Sequence, residues 1–299
     1  MEVGRLKRKR GVGKVAIVGV GLIGGSLGLA LRERGIAREV AGVFRRRSSL
    51  EKAVKKGAVD WGTLSLKKGV NGAEVVVLAV PTRLIVHKGL EAAEVMEKKA
   101  VLTDAGSVKA AVVRELDRKL PEGTTFVGGH PVAGSEKKGV EAASGELFVG
   151  SLCALTPGRT STPEGIEMVK RMWKSVGCRV AELAPERHDA LLGEVSHLPH
   201  LAAAAVARAV SEEALGYGAG GFGDTTRIAG GDPDLWADIM LSNRGEIGKT
   251  AGRLVEELSK LRRAIADGSR EEIVELLREA RRKRELFEAK RKAISKGMD

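Results

Sequence analysis

The stretch VAIVGVGLIGGSLGLAL, residues 15–31, decides the fold of the first half of this chain. A strand-like apolar run meets three glycines in the pattern Gly19-x-Gly21-x-x-Gly24, and a helix-like run follows. In that context Gly19 allows a tight turn, Gly21 lets the backbone approach a pyrophosphate, and Gly24 lets helix and strand pack closely. The stretch predicts a dinucleotide site that also involves Leu22 and Ile23. A glycine-rich turn without a ligand is the alternative.

Short runs rich in valine and alanine alternate with helical patterns up to about residue 184. This alternation is typical of a parallel sheet covered by helices on both faces, a doubly wound Rossmann-type α/β fold. The predicted strands begin at Lys14, Glu39, Ala73, Ala100, Thr124, Leu152 and Cys178.

From Pro185 onward the pattern is helical to the end of the chain. The run LLGEVSHLPHLAAAAVARAV, residues 191–210, has almost no polar face in its second half. Such a helix is expected to be buried on most sides and often packs against a symmetry mate. We therefore predict a basic tail at residues 1–13, a nucleotide-binding domain at 14–184 and an all-α domain at 185–299.

Composition excludes several classes of function. The chain of 299 residues carries 51 Lys and Arg against 39 Asp and Glu, a net charge of +12, but this charge is spread along it beside few aromatic residues. We expect no nucleic-acid partner and acidic small molecules instead. No apolar run is long enough for a membrane span, and no signal peptide is evident. Cys153 and Cys178 lack disulfide or metal-ligand spacing, so we expect a cytoplasmic protein without a metal.

The segment GVFRRRSS, residues 42–49, indicates which dinucleotide is bound. An NAD site usually has an acidic residue about 20 positions after the glycines, whereas this segment has Arg45, Arg46, Arg47 and Ser48. Guanidinium groups and hydroxyls would bind a 2′-phosphate. We predict NADP rather than NAD; a solvated basic turn is the alternative.

Further polar clusters follow predicted strands or lie on the helical part. LAVPT (78–82) adds Val80, Pro81 and Thr82 to the predicted cofactor site, since open α/β sheets bind ligands at the carboxyl ends of their strands. TDAGSVK (103–109) and GGHPVAGSE (128–136) end the next two strands, and EVSHLPH (194–200) lies on the apolar helix.

Six motifs in order give the chain a resemblance to the prephenate/arogenate dehydrogenases of tyrosine biosynthesis, over nearly its whole length. They are GVGLIGGSLG, DAGSVK, GGHPVAGSE, VSHLPH, DTTRIA and DPDLW. The resemblance implies a homodimer, joined through the helical domain, that oxidatively decarboxylates a small cyclic substrate. It leaves arogenate and prephenate open, with a slight lean to arogenate because of the NADP prediction.

The resemblance also implies roles for individual residues. His130 matches the catalytic histidine that hydrogen-bonds the ring hydroxyl, and Ser107 matches a serine that bonds the same hydroxyl. Arg227 matches an arginine that binds a carboxylate, although an ion pair with Asp224 is the structural alternative. The other matched substrate positions are Ser135, Glu136, Ser196, His200 and Trp236, the last contributed across the dimer.

Other residues are interpreted as structural. We expect His197 to be a packing residue, His87 and His188 to face solvent, and Trp61 and Trp173 to pack in the core. Two alternative functions stay open: a β-hydroxyacid or imine-type NAD(P) dehydrogenase, or a non-catalytic nucleotide-binding protein. The first usually relies on a lysine or aspartate from the helical domain, and no comparable lysine occurs near residues 185–215.

Overall fold

The fold is built on one eight-stranded sheet. The computed structural model describes residues 11–134 and 137–296, so the N-terminal basic tail falls almost wholly outside the described residues. The strands are β1 (Val12–Val18), β2 (Ala37–Val43), β3 (Trp61–Thr63), β4 (Val75–Leu78), β5 (Val101–Asp104), β6 (Thr125–Val132), β7 (Leu152–Pro157) and β8 (Arg179–Glu182). All seven predicted strands are present, and the short strand β3 was missed.

The strand order is β3-β2-β1-β4-β5-β6-β7-β8. Neighbours from β3 to β6 pair in parallel, which confirms a Rossmann-type sheet. The expectation of a parallel sheet is wrong at one edge, because β7 pairs antiparallel to β6 and β8 follows β7 in parallel. The strand order reverses between β1 and β4, the usual place for a ligand crevice in such sheets.

Thirteen helices complete the described part of the chain. They are α1 (Leu22–Glu33), α2 (Arg47–Lys56), α3 (Leu66–Val70), α4 (Thr82–Ala93), α5 (Ala110–Lys119), α6 (Pro163–Ser175), α7 (Pro185–Leu192), α8 (Leu198–Ala209), α9 (Glu212–Leu215), α10 (Gly220–Thr226), α11 (Pro233–Ser242), α12 (Arg244–Ala266) and α13 (Arg270–Lys296). Local chemistry sets several ends: the Thr162 side chain accepts from Gly165 N at 3.1 Å at the start of α6, and Asp232 caps α11.

Alternate residues of the strands build two cores on opposite faces of the sheet. In β4, Val75 and Val77 join the core that contains Trp173, while Val76 and Leu78 join the core on the other face. Continuous apolar strands therefore follow from burial on both faces. Trp173 is fully buried against Phe148, as expected, and the partly buried Trp61 donates from Nε1 to Glu39 at 2.8 Å.

The helical stretch Pro185–Ala209 connects α7 to α8 through a π-helical turn at Gly193–His197. Pro199 explains the irregularity, because it has no N–H for the carbonyl four residues earlier and its ring crowds that carbonyl. The sequence expectation that no apolar run reaches the length of a membrane span differs from this finding, because the stretch is long and apolar enough by length and composition. It carries the buried polar residues His188, Asp189 and His200.

The prediction that this helix is buried on most sides is wrong for a single chain. Only His200 and Ala203 of α8 are buried, and Val206 is 39% exposed. The apolar alanine face is thus open in one chain, which leaves it free to pack against a second copy.

Candidate active site

The glycine turn between β1 and α1 has the geometry that a bound dinucleotide requires. Gly19 adopts φ +91°, and a side chain there would meet Ala79 O at 2.6 Å. A Cβ on Gly24 would lie 2.2 Å from Gly19 O, so α1 packs directly on the turn. Gly21 is the N-cap residue of α1 and has no side chain that could cap the helix, and nothing lies within 4 Å of its Cβ position. Open space and uncapped N–H groups at a helix N-terminus fit a pyrophosphate.

The predicted adenosine-side residues follow β2 directly. Arg45, Arg46, Arg47 and Ser48 are all exposed, and Arg47 also begins α2. Arg47 makes a surface ion pair with Glu51 at 3.4 Å, leaving the other two arginines as the positive charges nearest the strand end. These residues fit a dinucleotide that carries an additional phosphate.

The predicted cofactor residues after β4 line the same turn. Val80 is half-buried, and its Cγ1 would lie 2.9 Å from a Cβ on Gly19. Pro81 is the N-cap of α4 and Thr82 is its buried first residue. Ser107 is half-buried in the loop between β5 and α5, the next strand end along the sheet.

His130 lies near the end of β6 and is 7% exposed. Its Nδ1 lies 2.8 Å from Nε2 of His188, and Nδ1 of His188 lies 2.8 Å from Oδ1 of Asp189. Burial lowers the pKa of His130 well below its ordinary value of 6.5, and the neighbouring His188, Lys109 and His197 lower it further. His130 is therefore a neutral imidazole at neutral pH.

A buried ion pair fixes the strand ends beside His130. Lys109 and Asp104 are both 0% exposed and bond through Nζ and Oδ2, and Nζ also donates to Gly129 O at 3.1 Å. Asp104 accepts from Gly129 N at 3.0 Å and from Gly106 N at 2.9 Å. The pair thus ties the end of β5 to the residue that precedes His130.

A second group of rings comes from the helical part of the chain. Trp236 stacks on His200 with ring centroids 3.5 Å apart and meets His197 edge-on at 6.2 Å. Burial lowers the pKa of both histidines, that of His197 to about 4. His200 Nδ1 is buried without a hydrogen-bond partner in the described residues, so it is available to a ligand. Ser196 is half-buried in the π-helical turn.

His197 has a structural partner, as its predicted packing role requires. Asn243 Nδ2 donates to His197 Nδ1 at 3.1 Å and to the backbone carbonyl of Asp189 at 2.9 Å. Trp236 lies on His200 of its own chain, and its predicted contribution across the dimer stays a prediction.

The side of the site predicted to bind a carboxylate is open in a single chain. Arg227 is exposed, and within residues 11–134 and 137–296 no ion pair joins it to Asp224. Ser135 and Glu136 lie outside the described residues. On the same side, Lys138 pairs with Asp232 at 2.9 Å, which connects the loop after β6 to α11.

The sequence interpretation of His188 was wrong. His87 is exposed as expected, but His188 is fully buried and contacts His130. One signal was available: His188 lies four residues before buried Leu192, so helical periodicity puts both on one face of α7. Asp189 and Asn243, whose contacts span the two parts of the chain, carried no sequence signal of comparable strength.

Comparisons with known proteins agree with this geometry. The family model for the nucleotide-binding domain of prephenate dehydrogenase matches residues 27–182, and the model for its dimerization domain matches residues 184–279. A prephenate dehydrogenase of Bacillus subtilis is 32% identical over 280 residues, covering 89% of this chain and 74% of that protein.

Two solved structures are similar over almost the whole chain. Prephenate dehydrogenase from Aquifex aeolicus in complex with hydroxyphenyl propionate and NAD+ is 36% identical with a TM-score of 0.87, covering 94% of this chain and 100% of that one. Synechocystis arogenate dehydrogenase is 29% identical with a TM-score of 0.78, covering 92% and 99%.

Proposed function

The chain belongs to the prephenate dehydrogenase family, and from that premise we propose that it oxidatively decarboxylates prephenate, arogenate or both in tyrosine biosynthesis, using NADP. The observation that carries the proposal is His130, a buried neutral imidazole near the end of β6, in the same sheet that holds the glycine turn. The dimerization domain makes the enzyme a homodimer. A division near residue 184 and a cytoplasmic location, in keeping with two buried free thiols, complete the proposal.

The reaction needs a hydride acceptor and a proton acceptor on opposite sides of one carbon. A nicotinamide cofactor held at the glycine turn would supply the first, as the acceptor of the hydride from ring C4. His130 supplies the second: its imidazole accepts the hydroxyl proton as the carbonyl forms. Ser107, on the neighbouring strand end, hydrogen-bonds the same oxygen in our proposal. Carbon dioxide then leaves from C1, and the electron pair of the broken bond makes the ring aromatic.

His130 returns its proton at the end of the reaction. Loss of carbon dioxide generates a phenolate at the former hydroxyl oxygen, and the imidazolium protonates it. The proton balance on His130 is therefore zero in each turnover. A weak base suffices, because departure of hydride makes the hydroxyl proton strongly acidic. The negative charge of the substrate also favours the imidazolium while it lasts.

Arg227 is proposed to bind a substrate carboxylate through its bidentate guanidinium. His200 supports the same pocket with its unpartnered buried Nδ1, and Trp236 covers the imidazole face. Ser196 is proposed as a further substrate-binding residue, and so are Ser135 and Glu136, on the family resemblance alone. The exposure of Arg227 in one chain agrees with a site whose outer wall is completed in the dimer.

The test of the activity is a matrix of two substrates and two cofactors. The purified dimer is assayed by absorbance of reduced nicotinamide with prephenate and with arogenate, each with NADP and with NAD. We expect turnover of at least one substrate and a higher kcat/KM with NADP. Absence of turnover with both substrates would overturn the activity, and preference for NAD would overturn the NADP proposal alone.

A variant sharpens the cofactor proposal. Replacing Arg45 and Arg46 together by alanine should lower kcat/KM for NADP about 10–100-fold and leave NAD nearly unchanged, because only NADP has the 2′-phosphate to bind. Arg38→Ala is the matched control. Arg38 is an exposed arginine near the start of β2, the strand that Arg45 and Arg46 follow. An equal loss with both cofactors would show that these arginines do not select the phosphate.

A further inference from the structure

Asp189 anchors a chain of hydrogen bonds that ends on His130. Its Oδ1 accepts from Lys109 N at 2.8 Å and its Oδ2 from Ala110 N at 2.9 Å. Asn243 holds the backbone of the same residue through its carbonyl at 2.9 Å. Asp189 is 3% exposed, so an ionised carboxylate there is compensated by these donors and by the start of α5.

This anchor determines where the protons of both imidazoles lie. A carboxylate that receives two backbone N–H groups is an acceptor, so Nδ1 of His188 must be its donor at 2.8 Å. When the His188 ring carries one proton, Asp189 places that proton on Nδ1 and Nε2 has none. That nitrogen lies 2.8 Å from Nδ1 of His130, which must therefore carry the proton between them. By elimination, Nε2 of His130 has a free electron pair.

The surroundings leave His188 no other arrangement. Its ring is fully buried and meets that of His130 edge-on, with centroids 5.0 Å apart and planes at 66°. The ammonium of Lys109 is bound to Asp104 and Gly129 O, and the bond from Lys109 to Asp189 is made by its backbone N–H. His197 is occupied by Asn243. His130 is thus the remaining partner for Nε2 of His188.

We propose that His188, oriented by Asp189, is a positioning residue that fixes the ring of His130 with Nδ1 protonated and Nε2 free to accept the hydroxyl proton of the substrate. This inference rests on the proposed function for the identity of that proton. Since His130 gives the proton back within each turnover, His188 transfers none. His188 sets the tautomer of His130 before the reaction. During the reaction it links the Asp189 carboxylate to the His130 imidazolium, a role similar to that of the aspartate in a Ser-His-Asp triad.

The direct test is the tautomer itself. Nitrogen NMR of the full dimer labelled at histidine distinguishes protonated from bare ring nitrogens without substrate or cofactor, and His130→Asn assigns the signal. At neutral pH we expect His130 with Nδ1 protonated and Nε2 bare. The opposite tautomer in the wild-type protein would overturn the proposal, whatever the activity.

Two substitutions at one position separate positioning from packing. His188→Phe fills similar space without an acceptor, and we expect the protonated-Nδ1 signal of His130 to disappear and kcat to fall about 100-fold with KM little changed. His188→Gln has a carbonyl that can accept from His130, and should recover at least about tenfold of that loss together with the wild-type signal. His87→Gln, at an exposed histidine, is the control and should alter neither measurement.

The outcomes distinguish this inference from the proposed function. If the wild-type protein shows the expected tautomer but turns over neither prephenate nor arogenate, positioning by His188 stands and the substrate proposal falls. If His188→Phe keeps both wild-type kcat and the wild-type signal of His130, the positioning role is overturned. Equal losses in the Phe and Gln variants, with the wild-type tautomer kept in both, would assign His188 to packing alone.

Discussion

The two ends of the proposed site differ in how they are built. At one end His130, His188, Asp104 and Lys109 are all buried and each side chain has a partner. At the other end Arg227 is exposed in a single chain. The end proposed to take the proton is therefore enclosed within one chain, whereas the end proposed to bind a carboxylate is open in one chain. Substitutions at the two ends should fail in different ways.

The largest effect is expected at His130. Asparagine can hydrogen-bond the substrate hydroxyl but cannot take its proton, so His130→Asn should lower kcat by about 10³–10⁴-fold. Cofactor affinity, measured by titration of protein fluorescence, should stay near normal because the glycine turn is untouched. Wild-type kcat in this variant would show that His130 takes no part in the reaction. The proposed role of the buried end of the site would then be wrong. His87→Asn serves as the surface control.

Lys109→Met should cost mainly stability. It leaves Asp104 charged and buried, and breaking a buried ion pair at one partner typically costs about 3–5 kcal/mol of unfolding free energy. Adding Asp104→Asn should recover part of the loss by removing the uncompensated charge. Lys138→Met is the matched control: its partner Asp232 is at the surface, so urea unfolding should barely move. Equal midpoints for both lysine variants would contradict the difference in burial on which the comparison rests.

Arg227→Ala should act on substrate binding alone. The guanidinium has no buried partner to abandon, so unfolding by urea should be unchanged, while KM for the substrate rises about 10–100-fold with the loss of a charge-assisted pair. Arg227→Lys should recover only part, because an ammonium lacks the bidentate fork. Arg118→Ala, an exposed arginine of α5 beside Glu115, is the control. A loss of stability in Arg227→Ala would contradict this prediction and would indicate a structural role for the guanidinium.

The sequence predicted the open features of the site better than the buried ones. Glycine spacing located the turn at Gly19 because that turn is local, and a resemblance located His130. The contact between His130 and His188 joins residues 58 positions apart. The charged residues around His188 in its helix predicted exposure to solvent, but the fold buries this side chain. The antiparallel pairing of β7 with β6 likewise depends on contacts that no local sequence pattern indicates. Exposure of α8 was mispredicted because an apolar pattern indicates burial without showing whether the covering surface belongs to the same chain or to a second one.

The smallest expected effect is that of pH, and it separates catalysis from stability. Burial, His188, Lys109 and His197 lower the pKa of His130, and Asp104 and Cys153 face the same strand end. The neutral base therefore persists, and kcat/KM should change less than about twofold from pH 8 to 6, whereas a histidine of pKa 6.5 would lose about fourfold.

Stability behaves oppositely. The unfolded chain binds protons near pH 6.5 while folded His130 and His197, the latter with a pKa of about 4, do not, so stability is complete above 6.5 and declines as pH falls toward 4. Rates and urea midpoints measured on the same samples test both statements, and a fourfold loss of kcat/KM by pH 6 would place His130 outside the buried network.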